Sequence, residues 1–373
     1  MKFSINKNII LEQLQNVSKA ISPKNIINIL NGIKFELDSK GLSLTASDSN
    51  LTIKSYIEKD KIEKIDTVGS IIVSNKSLID IIKSMPEDII KFEVEDGLRI
   101  KITSGECEFN LNCLNSLDYP EIDMSDNTTH IDIKAETLKK MIKQTIFAVS
   151  TQESRPLLMG INIKINGNIL ECTATDSYRL AKKTVTLDTP YEENVDIVIP
   201  ASNIGELEKI IVDESKNVEM HIFSKKILFK YENILFQSNL LEGTYPNTSS
   251  FIPVDFEHII NVNLSNYFAS INRVSLIGQS KDKNIIKMEV NEKEITLSTL
   301  ASQIGAGIDK VSITKNNPEE ISISFSAKYM IDVLRTFDDD EIIIYMNTDS
   351  KPIVITSASD DSLVQLILPI KTF

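Results

Sequence analysis

The sequence predicts an α+β chain built from one module written three times, each module two helices laid on antiparallel strands. Three observations predict it. Thr45-Ala46-Ser47-Asp48 returns as Thr173-Ala174-Thr175-Asp176, and Tyr119-Pro120 returns as Tyr245-Pro246, both about 125 residues later, close to a common domain size. A strand-like run leads into a helical pattern and then another strand at three places. The remainder alternates with period two, punctuated by Asn, Asp, Ser and Gly, as antiparallel strands and their turns do. Together these give a layered α+β module, and the 373 residues suit two or three domains.

The elements follow in order. Each module opens with a helix after a short strand: Asn8–Val17, Glu136–Gln144 and Leu264–Ile271. A second helix follows a β-rich run. Ser70–Val73 leads into Asn75–Lys83, Val198–Pro200 into Ser202–Ile211, and Ile321–Phe325 into Ala327–Leu334. Strands then resume at Ile89–Val94, Val218–Ile222 and Glu341–Met346. Turn-rich stretches at 118–129 and 243–255 separate the repeats. The modules are therefore placed at 1–126, 127–253 and 254–373.

Composition excludes several classes. No apolar run approaches the roughly 18 residues that span a bilayer. Met1–Lys7 enters directly into an amphipathic pattern, without the architecture of a secretory signal, so a cytoplasmic location is expected. Cys107, Cys113 and Cys172 form no C-x-x-C, which argues against a disulfide framework or a zinc knuckle. His130, His221 and His258 lie far apart and match no metal motif; they read as surface or strand residues. Ser312-Ile313-Thr314-Lys315 and Ser125-Asp126-Asn127 occur in the wrong order for a penicillin-binding enzyme, and K-T-G is absent. Gly305-Ala306-Gly307 lacks the rest of a phosphate loop. Asp338-Asp339-Asp340 reads as a cap on a helix exit rather than a cation site. No catalytic residue, metal or cofactor is indicated.

Charge is unevenly distributed. The chain carries 40 basic and 53 acidic residues, a net of −13. Over helices taken as 7–20, 76–84, 134–150, 202–212, 264–278 and 327–337, twelve basic residues face six acidic ones, a net of +6 that leaves −19 elsewhere. Lys populates helices readily, but Glu does so equally and is not enriched there. The segregation fits a helix surface that attracts phosphates without reading bases. Two rivals remain from the residues alone: a repeat scaffold that binds only proteins, and an enzyme with an unseen site.

Further marks narrow the choice. Thr175-Asp176-Ser177-Tyr178-Arg179-Leu180 lies in the middle module, Leu241-Glu242-Gly243-Thr244-Tyr245-Pro246 at its end, and Leu366-Ile367-Leu368-Pro369-Ile370-Lys371 near the last residue. In combination, and over the whole length, the sequence resembles the bacterial β sliding clamp family, the processivity subunit of DNA polymerase III. The resemblance implies a non-catalytic, head-to-tail homodimer, a six-module ring whose twelve helices surround double-stranded DNA. It implies a pocket that captures short Leu/Phe motifs of the replicative polymerase, the clamp loader and repair proteins. Carried over, that pocket is Leu158, Thr175, Ser177, Tyr178, Arg179, Leu180, Pro246, Phe251, Leu366, Ile367, Leu368, Pro369 and Ile370. DNA-facing positions are Lys24, Lys76, Gln152, Lys209 and Arg273, with Lys139, Lys140 and Lys143 added from the charge count. The dimer contact would use Phe109 and Leu111 on one edge, and Leu276 and Ile277 near residues 299–308 on the other. Ser177 stands where relatives often have Gly, and Ser250 where they often have Arg; Ala201-Ser202-Asn203 lacks a frequent basic residue. Glu106 and Glu108 mark the first edge, and 301–307 is uncharged.

Overall fold

A computed structural model describes the chain except residues 23, 24, 26, 96–97, 127, 278–283, 300–304, 317–319 and 372–373, and the side chains of 315–316. Its contacts gather into two compact units. Unit one comprises Met1–Leu138 and Ser202–Leu240; unit two comprises Lys139–Ala201 and Leu241–Phe373.

The described residues form six α-helices, α1 (Lys7–Ser18), α2 (Asn75–Ser84), α3 (Ala135–Thr145), α4 (Ala201–Ile210), α5 (Leu264–Ser275) and α6 (Ala327–Leu334). Each begins on the residue after a strand ends. At α1, α5 and α6 a short polar side chain makes this abrupt turn possible, because it satisfies N–H groups that a new helix leaves orphaned. The Asn6 carboxamide accepts from the Asn8 N–H at 2.9 Å, and Asn263 from the Asn266 N–H at 3.0 Å. Apolar spacing fixes the buried stripe. In α1 it is Ile10, Leu14 and Val17, and in α6 Met330, Val333 and Leu334.

Several helices are shorter than the apolar periodicity predicts. The window 134–150 ends its α-helix at Thr145 and continues as a 3-10 turn, Ile146–Ala148. Lys19, Lys134 and Arg335 fall outside the helices, so the six observed helices carry nine basic and six acidic residues, a net of +3 rather than +6. Asp338–Asp340 does not cap α6, which closes at Arg335. Asp338 instead pairs with Lys140 at 3.4 Å, and the Asp339 carboxylate accepts from the Ser357 and Ser359 hydroxyls.

Among the described residues every paired strand is antiparallel. Unit one holds a 13-stranded sheet. Its first edge is His130–Lys134, followed by Asn217–Ile222, Lys226–Tyr231 and Ile234–Asn239; the last of these pairs with Leu51–Glu58. Toward the other end Cys107–Leu114 pairs with Arg99–Ser104 along most of its length, and with Gly69–Ser74 only at Cys113 and Leu114. Phe3 stacks on Phe92 with ring centroids 4.9 Å apart inside this unit's core. Unit two holds a seven-stranded and a four-stranded sheet. The long hairpin Gly160–Thr175 and Arg179–Pro200 meets Leu363–Ile367 through Arg179↔Ile367 to Lys183↔Leu363. Ile308–Ser312 is an edge of the smaller sheet.

The repeat is visible in atomic detail. At the turn after Gly41–Ser47, Asp48 accepts from the Asn50 and Leu51 N–H groups at 2.9 and 2.7 Å. At the turn after Gly160–Thr175, Asp176 accepts from the Tyr178 and Arg179 N–H groups at 2.9 and 3.0 Å. The residue after each Asp has a left-handed backbone, Ser49 at φ 79° and Ser177 at φ 77°. That conformation is easiest for glycine. A serine is held there because its N–H donates to the preceding hydroxyl, Ser47 or Thr175, at 3.1 Å.

Candidate functional site

In unit two this turn forms one wall of a cleft of about 280 Å³, lined by Leu158, Thr175, Ser177, Tyr178, Arg179, Leu180, Pro246, Phe251, Pro352, Leu366 and Leu368. Four elements position these groups. The hairpin supplies Thr175 to Leu180, the 3-10 turns Pro156–Met159 and Ser249–Phe251 supply Leu158 and Phe251, and strand Leu363–Ile367 supplies Leu366. The Leu368 N–H donates to the Tyr178 carbonyl at 2.9 Å, which closes the wall beyond that strand.

The floor is apolar and dry: Leu180 and Leu366 are buried with Val354. The rim is apolar and wet. Tyr178 and Phe251 are each 54% exposed and Leu368 38%. Large apolar side chains left this open around a concave floor mark a surface that gains by being covered. Below the floor, Leu158 packs with Val198 and Tyr245. The Tyr245 hydroxyl accepts from the Thr175 N–H at 3.1 Å, so the Tyr-Pro mark holds the turn from beneath. Gly243 has φ +127°, and a Cβ there would stand 2.9 Å from Leu157 Cδ1, so only glycine lets the chain pass.

Arg179 is 8% exposed and largely occupied within the chain. Its Nε donates to Asp176 Oδ2 at 3.1 Å, Nη1 to Asp332 Oδ2 at 2.7 Å and Nη2 to the Phe147 carbonyl at 2.7 Å. The guanidinium also lies 4.5 Å from the Tyr329 ring centroid and 5.1 Å from that of Phe147. Three of its five donors are thus committed. Burial pushes the nearby Tyr329 phenol up, and the Asp176 charge adds to this.

Of the thirteen residues expected at a pocket, ten line the cleft, and Pro352, which no sequence mark signalled, joins them. Ile367, Pro369 and Ile370 do not line it. Ile367 points the opposite way and is fully buried in the core, because side chains alternate along a strand. Beyond Leu368 the chain turns aside, and the Ile370 N–H donates to the Ser324 carbonyl at 2.7 Å. Unit one has a larger hollow of about 710 Å³, but Glu12, Glu58, Lys61, Lys230 and Glu232 are among the residues that line it, a poor floor for an apolar ligand.

The DNA-facing candidates are helix-borne or lie in flanking segments. Lys76, Lys140, Lys143, Gln152, Lys209 and Arg273 are exposed and Lys139 is half-buried. Some are partnered: Arg273 with Asp309 at 2.6 Å, Lys209 with Glu206 at 2.7 Å and Lys140 with Asp338. Lys24 lies outside the described residues. The edge residues Phe109 and Leu276 are 38% and 67% exposed, whereas Leu111 and Ile277 are half-buried.

Comparison with known proteins agrees over the full length. Three family models match in sequence: the DNA polymerase III beta subunit N-terminal domain over residues 1–123, its central domain over 132–247 and its C-terminal domain over 249–371. The beta sliding clamp of Bacillus subtilis is 38% identical and that of Staphylococcus epidermidis 36%, each over 100% of both chains. The crystal structure of the Bacillus subtilis DNA polymerase sliding clamp superposes with a TM-score of 0.97, again over 100% of both chains at 38% identity. The beta chain of DNA polymerase III from Streptococcus pneumoniae gives 0.95 at 32% identity, with full coverage of both. Sequence, fold and repeat thus agree, and the chain belongs to the bacterial β sliding clamp family, the beta subunit of DNA polymerase III.

Proposed function

We propose that this chain is the non-catalytic processivity subunit of a replicative polymerase, acting in the cytoplasm. Two copies join head to tail, encircle duplex DNA and slide. The cleft of unit two tethers the polymerase, and in turn the clamp loader and repair proteins, by short Leu/Phe motifs. The division into modules at 1–126, 127–253 and 254–373 belongs to this reading. The observation that carries it is the cleft: an apolar floor under an exposed rim of Tyr178, Phe251 and Leu368. Such a surface takes the anchors of a short peptide and leaves polar backbone to orient it.

Fluorescence anisotropy of a labelled Gln-Leu-Ser-Leu-Phe peptide tests the tether. Micromolar binding, about −8 kcal/mol, abolished in Phe251→Ala with Leu368→Ala, supports it; equal binding by the double variant refutes it. Assembly rests on two open edges. Cys107–Asn112 pairs on one side only, and Ile308–Ser312 is the last strand of its sheet. Pairing of these edges between copies, with Phe109 and Leu111 against Leu276 and Ile277, would satisfy both. Phe109→Asp should then leave a monomer in sedimentation.

A scaffold that binds protein but never DNA is the rival reading; a helix charge near zero would favour it, and the observed charge, lowered from the expected +6, is still +3. Retention on nicked circular DNA that disappears upon linearisation separates the two.

A further inference from the structure

At one edge of the large sheet in unit one the fold brings together two of the three histidines. His130 on edge strand His130–Lys134 is register partner to His221 on Asn217–Ile222, and their rings lie 5.2 Å apart. Glu219, two residues before His221, projects from the same face. One ligand atom from each of His130, Glu219 and His221 falls within 4.8 Å of the others. His221 is 2% exposed, and its Nε2 stands 3.3 Å from Glu219 Oε2. A buried ring nitrogen and a carboxylate oxygen thus already converge beside the exposed His130 imidazole.

We propose that His130, Glu219 and His221 form a binding site for a divalent transition-metal ion of the zinc class. Two imidazoles and a carboxylate suit Zn²⁺ and its first-row neighbours, and are unsuited to Mg²⁺ or Ca²⁺, which prefer oxygen ligands. Metal–ligand distances of about 2.0–2.2 Å put tetrahedral ligand atoms roughly 3.3 Å apart. His221 Nε2 and Glu219 Oε2 already stand at 3.3 Å, and His130 must close from within 4.8 Å, by at most about 1.5 Å. His130 is free to do so, being exposed on an edge strand. Asp132 Oδ2, 3.5 Å from His130 Nε2, is placed to fix that ring's tautomer. A fourth position would be left for water.

One group opposes the ion. Lys230 Nζ donates to Glu219 Oε2 at 3.1 Å and also lies 3.8 Å from Asp126. Metal must displace this ammonium from Glu219, and Asp126 offers it somewhere to go. The ion would staple the edge strand that opens the second repeat to its neighbour, so binding would raise the stability of unit one.

The test uses full-length protein stripped with chelator and titrated with Zn²⁺ alone against a chromophoric competitor. The Cys107→Ser variant runs in parallel, to remove the one exposed thiol. One equivalent per chain is expected in both, with a raised melting temperature and no response to Mg²⁺. His130→Ala, on an exposed edge position that the fold tolerates, should weaken uptake at least about tenfold. Lys230→Gln should tighten it several-fold, an effect that a purely structural Lys230–Glu219 pair does not produce. No uptake by wild type, equal uptake by His130→Ala, or weaker uptake by Lys230→Gln overturns the site.

Discussion

Replacing Arg179 by alanine should destabilise unit two by about 3 kcal/mol while leaving the apolar rim of the cleft in place. The estimate follows from its surroundings. The side chain is 8% exposed and holds Asp176, Asp332 and the Phe147 carbonyl at once. Removing one member of a buried ion pair costs about 3–5 kcal/mol, because the charge left behind is desolvated without compensation. Asp332, whose side chain is 24% exposed, can regain water, and Asp176 keeps two backbone N–H donors. Both facts place the loss at the lower end. For a unit of nearly 200 residues, about 3 kcal/mol corresponds to a melting shift of roughly 6–12 °C. Arg179→Lys should recover part of it, since an ammonium keeps the charge but not the planar fork or the stacking on the rings. Differential scanning calorimetry reads the shift, and peptide anisotropy on the folded variant reads the cleft. A melting point within about 2 °C of wild type would refute the reasoning, and a selective loss of peptide binding would make Arg179 a ligand-binding group instead of a scaffold.

Three further outcomes are expected. Burial alone would raise the Asp360 carboxyl, but hydrogen bonds from Lys183 and Ser362 outweigh it and hold the pKa below its usual value. Its contribution is therefore fully present above the unfolded value near pH 4 and disappears as pH falls through the lower folded value; Asp360→Asn should cost about 1–2 kcal/mol at pH 7, discounted for partial exposure, and flatten the acid limb of urea midpoints against pH. Changing Lys76, Lys139 and Lys143 to Gln should shorten retention on circular DNA and reduce the salt slope by about 0.9 for each phosphate no longer neutralised, with the melting point nearly unchanged; an unchanged slope removes these residues from the DNA surface. Among the three thiols, only Cys107 should react quickly with a disulfide reagent in the native protein. Cys113 and Cys172 are buried, and burial pushes their thiols up to about 11 and about 12; fast labelling of a second thiol would contradict this.

The fold was legible because its signals are local and repeated. A turn that begins Thr-Ala-Ser/Thr-Asp, a Tyr-Pro beneath it and a strand that stops where a helix starts are short motifs. Each occurs in more than one module. The cleft was mostly legible for the same reason, since Tyr178 and Leu180 ride on that turn. What remained hidden depends on partners distant in sequence. Arg179 appeared as a group for a ligand, but Asp332 and Phe147 hold it from elsewhere in the chain. Ile367 and Leu366 are equally apolar, and only the strand's facing separates them. Pro352 carries no mark. His130 and His221 lie 91 residues apart and meet only through strand register. Lys19, Lys134 and Arg335 show how a boundary shift of a few residues changes a charge sum.

Strand Leu363–Ile367 has two faces with different obligations. Leu366, with Leu368 just beyond, faces the cleft. Leu363 and Ile367 sink into the core, and between them the Gln365 Nε2 donates to the Gln144 carbonyl and Thr336 Oγ1, both at 3.0 Å. Gln144 in turn donates to the Thr336 carbonyl at 2.9 Å. A slip by one residue would put Gln365 against the ligand and bury leucines among unsatisfied amides, so the inner face locks the register. The outer face, though Leu366 still packs on Leu180 and Val354, is then released from setting the register. Its side chains can change in size and shape to suit new ligands, while the address of each remains written on the hidden side of the same five residues.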